Sequence, residues 1–477
     1  MSSDIKRIKS GVIWSAIDKI AYSGMQMIIN LVLARLIIPE EYALVAMISI
    51  FIAIGQTFID SGFSQSLIHK QERTLVDYST VFYFNIGISA IIYVIIYLIS
   101  PFIASFYNNE VFIPLTRIVA VTLIISSFSI VQRTVLTIKT DFKTQAIISL
   151  ISISCSGCVG IFMAYKGYGV WAMVAQTLIN QFLIAVLLWV VVRWRPALLF
   201  SVHSFKELFS YGSKLLLSRL INTMCQNLHS LLIGKFYSRQ DVAYFTNANQ
   251  LSLYSAGYLN EIIQRALFPI QCEMQNDIEE TRQFFIKMMR LSSYIIFPVM
   301  VTMIVLAKPF VLTVLTSKWE GMILFMQIIA FAYMWYPVMS SNQMFNVLGR
   351  TDLYLRTEII KKIFFILIVA FTLKIGVTAM CLGIVAYNFI EMIVTIIILK
   401  IVLPVSFCEI IINIFPIILL CVGTACLTLL TISLFDNLLA QLLIGGVVAI
   451  LSYVFLSIVF RSQDYSDIKR ILNINKV

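Results

Sequence analysis

Residues 219–247 read RLINTMCQNLHSLLIGKFYSRQDVAYFTN, and residues 19–47 read KIAYSGMQMIINLVLARLIIPEEYALVAM. Shifting the chain by 200 positions lays Lys19 on Arg219, Gln26 on Gln226, Arg35 on Lys235, Glu41 on Asp241 and Ala43 on Ala243. Self-similarity at a fixed offset is the mark of an internally repeated architecture. Each copy opens with an apolar stretch long enough to cross a bilayer, since about 20 residues at 1.5 Å rise span about 30 Å of hydrocarbon. Each also carries polar groups along that stretch. Charged groups are costly in hydrocarbon, so they point to function or to partners inside a bundle.

The surrounding composition agrees. The 477-residue chain is 60% hydrophobic and 12% charged, against roughly 45–50% and 25% in a soluble domain. Apolar runs of span length recur fourteen times, from residues 11–34 to residues 438–460. They are continuous, not alternating, which excludes a transmembrane β-barrel. The expected fold is an all-α polytopic membrane protein of about 14 transmembrane helices. Six spans precede the second copy, and an even number makes the repeat parallel. The expected organisation is an N-lobe over 1–200 (helices 1–6), a C-lobe over 201–400 (helices 7–12), and helices 13–14 with a cytoplasmic tail over 401–477.

Lys and Arg are retained on the cytoplasmic side of short loops. One set of alternate segments holds Lys6, Arg7, Lys139, Lys143, Arg193, Arg195, Arg350, Arg356, Lys469 and Arg470, among others. The opposite set holds only Arg35, Lys166, Lys235, Arg239, Lys308, Lys318 and Lys374. Both termini are therefore expected in the cytoplasm. Topology accounts for the net charge of +11, and no nucleic-acid partner is needed. The basic MSSDIKRIKS leads into a full-length span without a small-residue cleavage site, so the first helix is read as its own insertion signal.

The outward loops, mainly PEEY, FYNNEVF, KGYG and KWEG, are too short for the external domain of a membrane-embedded enzyme. No GxxxxGK[ST] segment encodes an ATP-driven motor, and no metal site or cofactor is expected. Two inward segments are longer. Residues 193–210, RWRPALLFSVHSFKELFS, read as a loop, and residues 271–290 read as either an interfacial helix or a plain connector. Cys155-x-x-Cys158 lies in the small-residue run SLISISCSGCVG, which suits close helix packing better than metal or redox chemistry.

Arg219, Asn222, Gln226 and His229 share one helical face. Lys19, Tyr22 and Gln26 repeat the first three offsets, with Asp18 and Asn30 close by. The helices that follow add Gln56, Asp60 and Ser64 in the first copy, and Asn247, Gln250, Tyr254, Glu261 and Arg265 in the second. Such seams can pair between helices to fix packing. They can snorkel, which suits Arg35 and Lys235 at helix ends but not Arg219, about 15 Å into a helix starting near residue 208. The favoured reading is a water-filled cavity between pseudo-symmetric lobes, where repeat-built transporters bind cargo.

Several segments resemble one known family: LARLIIPEEYALVAM (33–47), DSGFSQSLIHKQ (60–71), KTDFKTQAIISLIS (139–152), GYGVWAMVAQTL (167–178), LLIGKFYSRQDVAYFTNANQL (231–251) and NVLGRTDLYLRTEI (346–359). They look like the polysaccharide transporter family, particularly its colanic acid and exopolysaccharide exporter branch, within the multidrug/oligosaccharidyl-lipid/polysaccharide exporter superfamily. Val242-Ala243-Tyr244 departs from the family's usual Gly-Tyr-Tyr and affects local loop shape. The resemblance implies a 14-helix flippase of the bacterial inner membrane. It would move undecaprenyl-pyrophosphate-linked oligosaccharide to the periplasmic leaflet for O-antigen, capsule or exopolysaccharide assembly, by alternating access on an H+ or Na+ gradient. Its partners would be that lipid-linked oligosaccharide, membrane lipids and polysaccharide polymerase machinery.

For such cargo, a pyrophosphate calls for clustered cations: Lys19, Arg219 and Arg265, with Arg117 behind them. Amides and aromatics suit glycan hydroxyls: Gln26, Asn222, Gln226, Gln56 and Tyr254. Asp18, Asp60, Glu261 and His229 are the candidates for ion coupling. A drug/cation antiporter of the same superfamily, a lipid II flippase and, in another class, an integral-membrane polysaccharide polymerase are the alternatives.

Overall fold

The computed structural model describes residues 2–60, 62–275, 277–461 and 464–465, and within them the chain forms helices and turns without a strand. Among the described residues, nine helices are long and apolar enough to cross a membrane, and the bent pair Met322–Met334 and Tyr336–Val347 makes a tenth if taken as one span. The chain is an all-helical, multi-pass membrane protein. Backbone contacts divide it into two units, 1–243 and 244–477.

The first unit contains α1 (Ser2–Leu36), α2 (Pro39–Asp60), a short α3 (Phe63–His69), α4 (Leu75–Tyr107), α5 (Phe112–Ile138), α6 (Phe142–Tyr165), α7 (Val170–Val191) and α8 (Val202–Phe236). α1 packs on α6, α6 on α7, α4 on α5, and α2 on both α5 and α8. The α1–α6 contact is made by small residues. A Cβ on Gly157 would fall 2.2 Å from Ile29 Cδ1, so a larger residue there would force the Ile29 side chain to shift. Ser156 and Gly157 are buried while Cys155 and Cys158 are exposed. The small residues of that run therefore do the packing, and its thiols face away.

α8 starts earlier than the sequence suggests. The Ser201 hydroxyl accepts from the Ser204 backbone N–H at 3.3 Å and caps a 35-residue helix, so residues 202–210 are helix and the connecting segment is short. Serine at this position satisfies a backbone donor that would otherwise be orphaned. Arg219 is consequently the midpoint of α8. The first turns of α8 are clamped to α3 and α4. Ser66 Oγ donates to the Leu208 carbonyl at 3.0 Å, and Lys70 Nζ lies 2.9 Å from Glu207 and 3.1 Å from Asp77. Phe63, fully buried, packs against Phe84, Phe205 and Phe209.

The second unit shows two interruptions within segments that read as continuous spans. Between α9 (Arg239–Ser252) and α10 (Tyr258–Glu273) lies a π turn, Leu253–Gly257. Met322–Met334 is bent by 42° from Tyr336–Val347. Pro337, in the first turn beyond the break, has no N–H to continue the ladder and so favours a kink. The segment 271–290 is mostly helical, formed by the end of α10 and the start of the next helix. The Asp277 carboxylate accepts from the N–H groups of Glu279 and Glu280, both at 3.0 Å, and starts α11 (Ile278–Val305), so residues 278–290 are its first turns. α11 packs on Met322–Met334 and on Phe407–Ile432. It is pinned to Leu438–Val459 where the Tyr294 hydroxyl donates to Ser457 Oγ at 2.7 Å and the Tyr453 hydroxyl donates to the Tyr294 carbonyl at 2.9 Å.

The break between α2 and α3 depends on Gly62, whose φ is +71°. An added Cβ would stand 2.7 Å from the Gly212 carbonyl oxygen of α8. Gly62→Ala combines left-handed strain with a backbone overlap and is expected to cost about 1–3 kcal/mol. Thermal unfolding of the detergent-solubilised protein checks this, with Gly87→Ala, where a Cβ meets nothing within 4 Å, expected to be near neutral.

Candidate functional site: a cationic cavity in the first unit

α2, α5 and α8 enclose a cavity of about 490 Å³. α8 contributes Arg219, Asn222, Thr223 and Gln226, which periodicity places on one face. Gln56, Thr57 and Asp60 come from α2, and Arg133, Thr134 and Thr137 from the end of α5.

Hydrogen bonds hold this lining in place. The Thr57 and Thr223 hydroxyls meet at 3.2 Å and tie α2 to α8. Ser126 Oγ donates to Gln56 Oε1 at 2.9 Å, fixing the amide from α5. The Ser64 hydroxyl donates to Asp60 Oδ1 at 2.9 Å, and Arg219 Nη1 donates to Asp60 Oδ2. The lining thus carries one carboxylate, Asp60, bound by Arg219, and a second guanidinium, Arg133, so its own charged side chains leave an excess positive charge. The side chains of Arg219 and Asp60 remain 37% and 32% exposed. An ion pair of that exposure is worth only about 0–1 kcal/mol, so a multiply charged anion can replace Asp60 on Arg219.

Of the residues singled out from sequence, Arg219, Asn222, Gln226, Gln56 and Asp60 meet in this cavity. Asp60, a candidate for ion coupling, is engaged by Arg219. Lys19, Asp18 and Gln26 lie on α1, outside the cavity lining. There Gln26 Nε2 donates to Asn30 of the same helix at 2.8 Å, and Asn180 of α7 donates to the Tyr22 hydroxyl at 3.0 Å. Asp18 bonds Ser149 of α6 and feels the charge of Arg133. His229 is buried, with 7% exposure. Arg117 Nε donates to Ser100 at 2.9 Å and its guanidinium lies 3.9 Å from the centre of the Tyr97 ring, so it braces α5 on α4. Tyr254 and Glu261 belong to the second unit, where Gln250 donates to the Tyr254 hydroxyl at 2.6 Å. The side chain of Arg265 lies outside the described residues.

Sequence reasoning passed over Arg133, Thr134 and Thr137. Their signal was present in QRTVLTIKT (132–140), a polar patch ending an apolar helix. Because it did not fall on the repeat, nothing set it apart from an ordinary helix end.

A model of a family described as polysaccharide biosynthesis protein matches residues 32–324. The chain belongs to that family. All the residues lining the cavity fall within the matched span. This polysaccharide biosynthesis protein is 26% identical over 356 residues to the teichuronic acid biosynthesis protein TuaB of Bacillus subtilis (strain 168), covering 74% of each chain. It is 26% identical over 329 residues to the lipopolysaccharide biosynthesis protein WzxC of Escherichia coli (strain K12), covering 67% of this chain and 65% of that protein. Its fold is similar to that of the lipid II flippase MurJ in an inward closed conformation, with a TM-score of 0.73 at 15% identity, covering 94% of this chain and 99% of MurJ.

An anion binding in the cavity competes with Asp60 for Arg219. Asp60→Asn is therefore expected to tighten binding of inorganic pyrophosphate by about 2–5-fold, the equivalent of an exposed ion pair. Arg219→Ala should weaken it by about tenfold or more, from loss of a charge-assisted bond. Isothermal titration of the purified protein measures both.

Proposed function

We propose that this polysaccharide biosynthesis protein is a flippase that carries undecaprenyl-pyrophosphate-linked oligosaccharide from the cytoplasmic to the periplasmic leaflet of a bacterial inner membrane, for O-antigen, capsule or exopolysaccharide assembly. The observation that carries this reading is the cavity, in which two arginines oppose one aspartate among amides and hydroxyls inside an apolar helical bundle. Family membership and the MurJ-like fold support it.

Each part of the cargo finds a matching chemistry. Arg219 and Arg133 take the pyrophosphate, since planar guanidinium groups bind phosphate oxygens in pairs. Asp60 holds Arg219 while the cavity is empty, then yields it to the incoming anion and keeps the Ser64 hydroxyl as its own hydrogen-bond donor. Asn222, Gln226 and Gln56 offer both donors and acceptors to glycan hydroxyls. Lys19, Gln26, Tyr254 and Arg265 are assigned to the cargo by residue type and helical register. The polyprenyl tail stays in lipid, where its transfer costs nothing. The proposal includes 14 spans in two six-helix lobes plus two C-terminal helices, cytoplasmic termini, and alternating access coupled to H+ or Na+.

A lipid II flippase is the second reading, favoured by the MurJ-like fold; it shares the pyrophosphate and differs in the glycan. The excess positive charge disfavours a carrier of cationic drugs. Reconstitution in liposomes tests the proposal with fluorescent undecaprenyl-pyrophosphate oligosaccharide. Wild-type protein is expected to translocate it, and Arg219→Ala to lose at least about 90% of the initial rate, as the loss of one charged contact of about 1.5–3 kcal/mol requires. Translocation of lipid II alone would replace the first reading by the second.

A further inference from the structure

The second unit holds a charged cluster that the cargo cavity does not use. Lys361 Nζ lies 2.6 Å from Glu358 Oε1 and 2.7 Å from Glu391 Oε1. The three side chains are 4%, 26% and 13% exposed, respectively. Glu358 and Lys361 share one face of the helix Thr351–Thr372, and Glu391 reaches them from Val377–Leu399. Two carboxylates and one ammonium leave one negative charge in excess in an apolar bundle, where an uncompensated charge is strongly disfavoured.

The surroundings are built for a polar event. Asn342 Nδ2 donates to Glu358 Oε1 at 2.8 Å. Asn342 belongs to a 3-10 turn, Ser340–Gln343, just past the bend at Trp335. Gln264 of α10 donates to Ser340 at 2.9 Å, and Tyr333 donates to Asn249, ahead of the π turn, at 2.6 Å. Irregular backbone at membrane depth persists only where protein or a wet cavity satisfies it, and π turns are frequent at functional sites. Asn342 Oδ1 and Gln343 Oε1 are buried acceptors with no hydrogen-bond partner, ready for an O–H that an ionised carboxylate cannot offer. The other titratable groups acting on the cluster are the Tyr336 and Tyr354 hydroxyls.

We propose that Glu358, Lys361 and Glu391 form a one-proton site through which the second unit senses the proton gradient. A proton from the aqueous phase adds to one carboxylate, giving a carboxylic acid beside a neutral Lys–Glu pair, and leaves by the reverse step. A metal cation fits poorly, because Lys361 Nζ already fills the space between both carboxylates and a hard cation needs a shell of oxygens. The feature belongs to one repeat only. Aligning Thr140-Asp141 with Thr351-Asp352 puts Ile147 and Leu150 where the second copy has Glu358 and Lys361.

Proton binding does not depend on the flippase reading; only its use in driving cargo does. Infrared titration of the full-length protein in lipid is expected to show a protonated-carboxyl band growing as pH falls. Glu391→Gln and Glu358→Gln should each lose it, since either leaves a neutral pair. Lys361→Gln should shift its midpoint to higher pH, because two carboxylates then share no cation. In liposomes, Glu391→Gln should lose the stimulation of cargo movement by a pH gradient while keeping movement without one. A band absent from wild type, or unchanged in both glutamine variants, overturns the proposal, as does stimulation by a sodium gradient and not by a pH gradient. Where a glutamine variant fails to fold, Glu391→Asp keeps the charge and is expected to shift the band's midpoint or frequency; a band unchanged in that variant overturns the proposal. A titrating band without cargo movement supports the proton site and counts against the flippase reading instead.

Discussion

A polar or charged side chain in an apolar bundle must find a partner or a wet cavity, because leaving it unsatisfied costs several kcal/mol, on the order of 2–7 for a neutral group. The polar clusters described in this chain answer that constraint. In the first unit, Arg219 at the midpoint of α8 is met by Asp60 of α2, and Asp60 by Ser64. In the second, Lys361 is met by two glutamates and one of those by Asn342. In the cavity lining itself two arginines stand with one aspartate, and the proposed anionic cargo rests on that excess.

The two clusters differ in access, and that difference decides their chemistry. Arg219 and Asp60 are about a third exposed and face open volume. Their attraction is screened, and a large anion can exchange with the carboxylate. Lys361 is 4% exposed and touches both carboxylates. Only a particle without a coordination shell can enter without dismantling the contact. The proposed cargo site and the proposed proton site thus differ in burial more than in residue type.

The backbone positions both. Gly62 ends α2 in a left-handed conformation and lets α8 approach to backbone contact, which brings Asp60 under Arg219. In the second unit, the 3-10 turn just past the bend at Trp335 carries Asn342, whose amide reaches Glu358. The proposed cargo, a phosphorylated carrier of glycans, is supported by membership of the polysaccharide biosynthesis protein family and by the arginines of the cavity lining.

Helical class, the 200-residue repeat and the polar face of α8 were legible in the sequence, because apolar length and 3.6-residue periodicity are properties of one segment at a time. Arg219, Asn222, Gln226, Gln56 and Asp60 could be named for that reason. The register of one helix against another is not such a property, and it governs the rest. Tertiary packing brought Arg133 of α5 into the cavity, made Asp60 the partner of Arg219, and tied Tyr22 of α1 to Asn180 of α7. Caps and breaks, at Ser201, Asp277 and Pro337, moved helix boundaries away from where hydropathy placed them. Most decisively, Glu358 and Lys361 lie on one helix and Glu391 on the next, and no periodicity within either segment links them. Only the pairing of two helices showed that they neutralise one another to within a single charge.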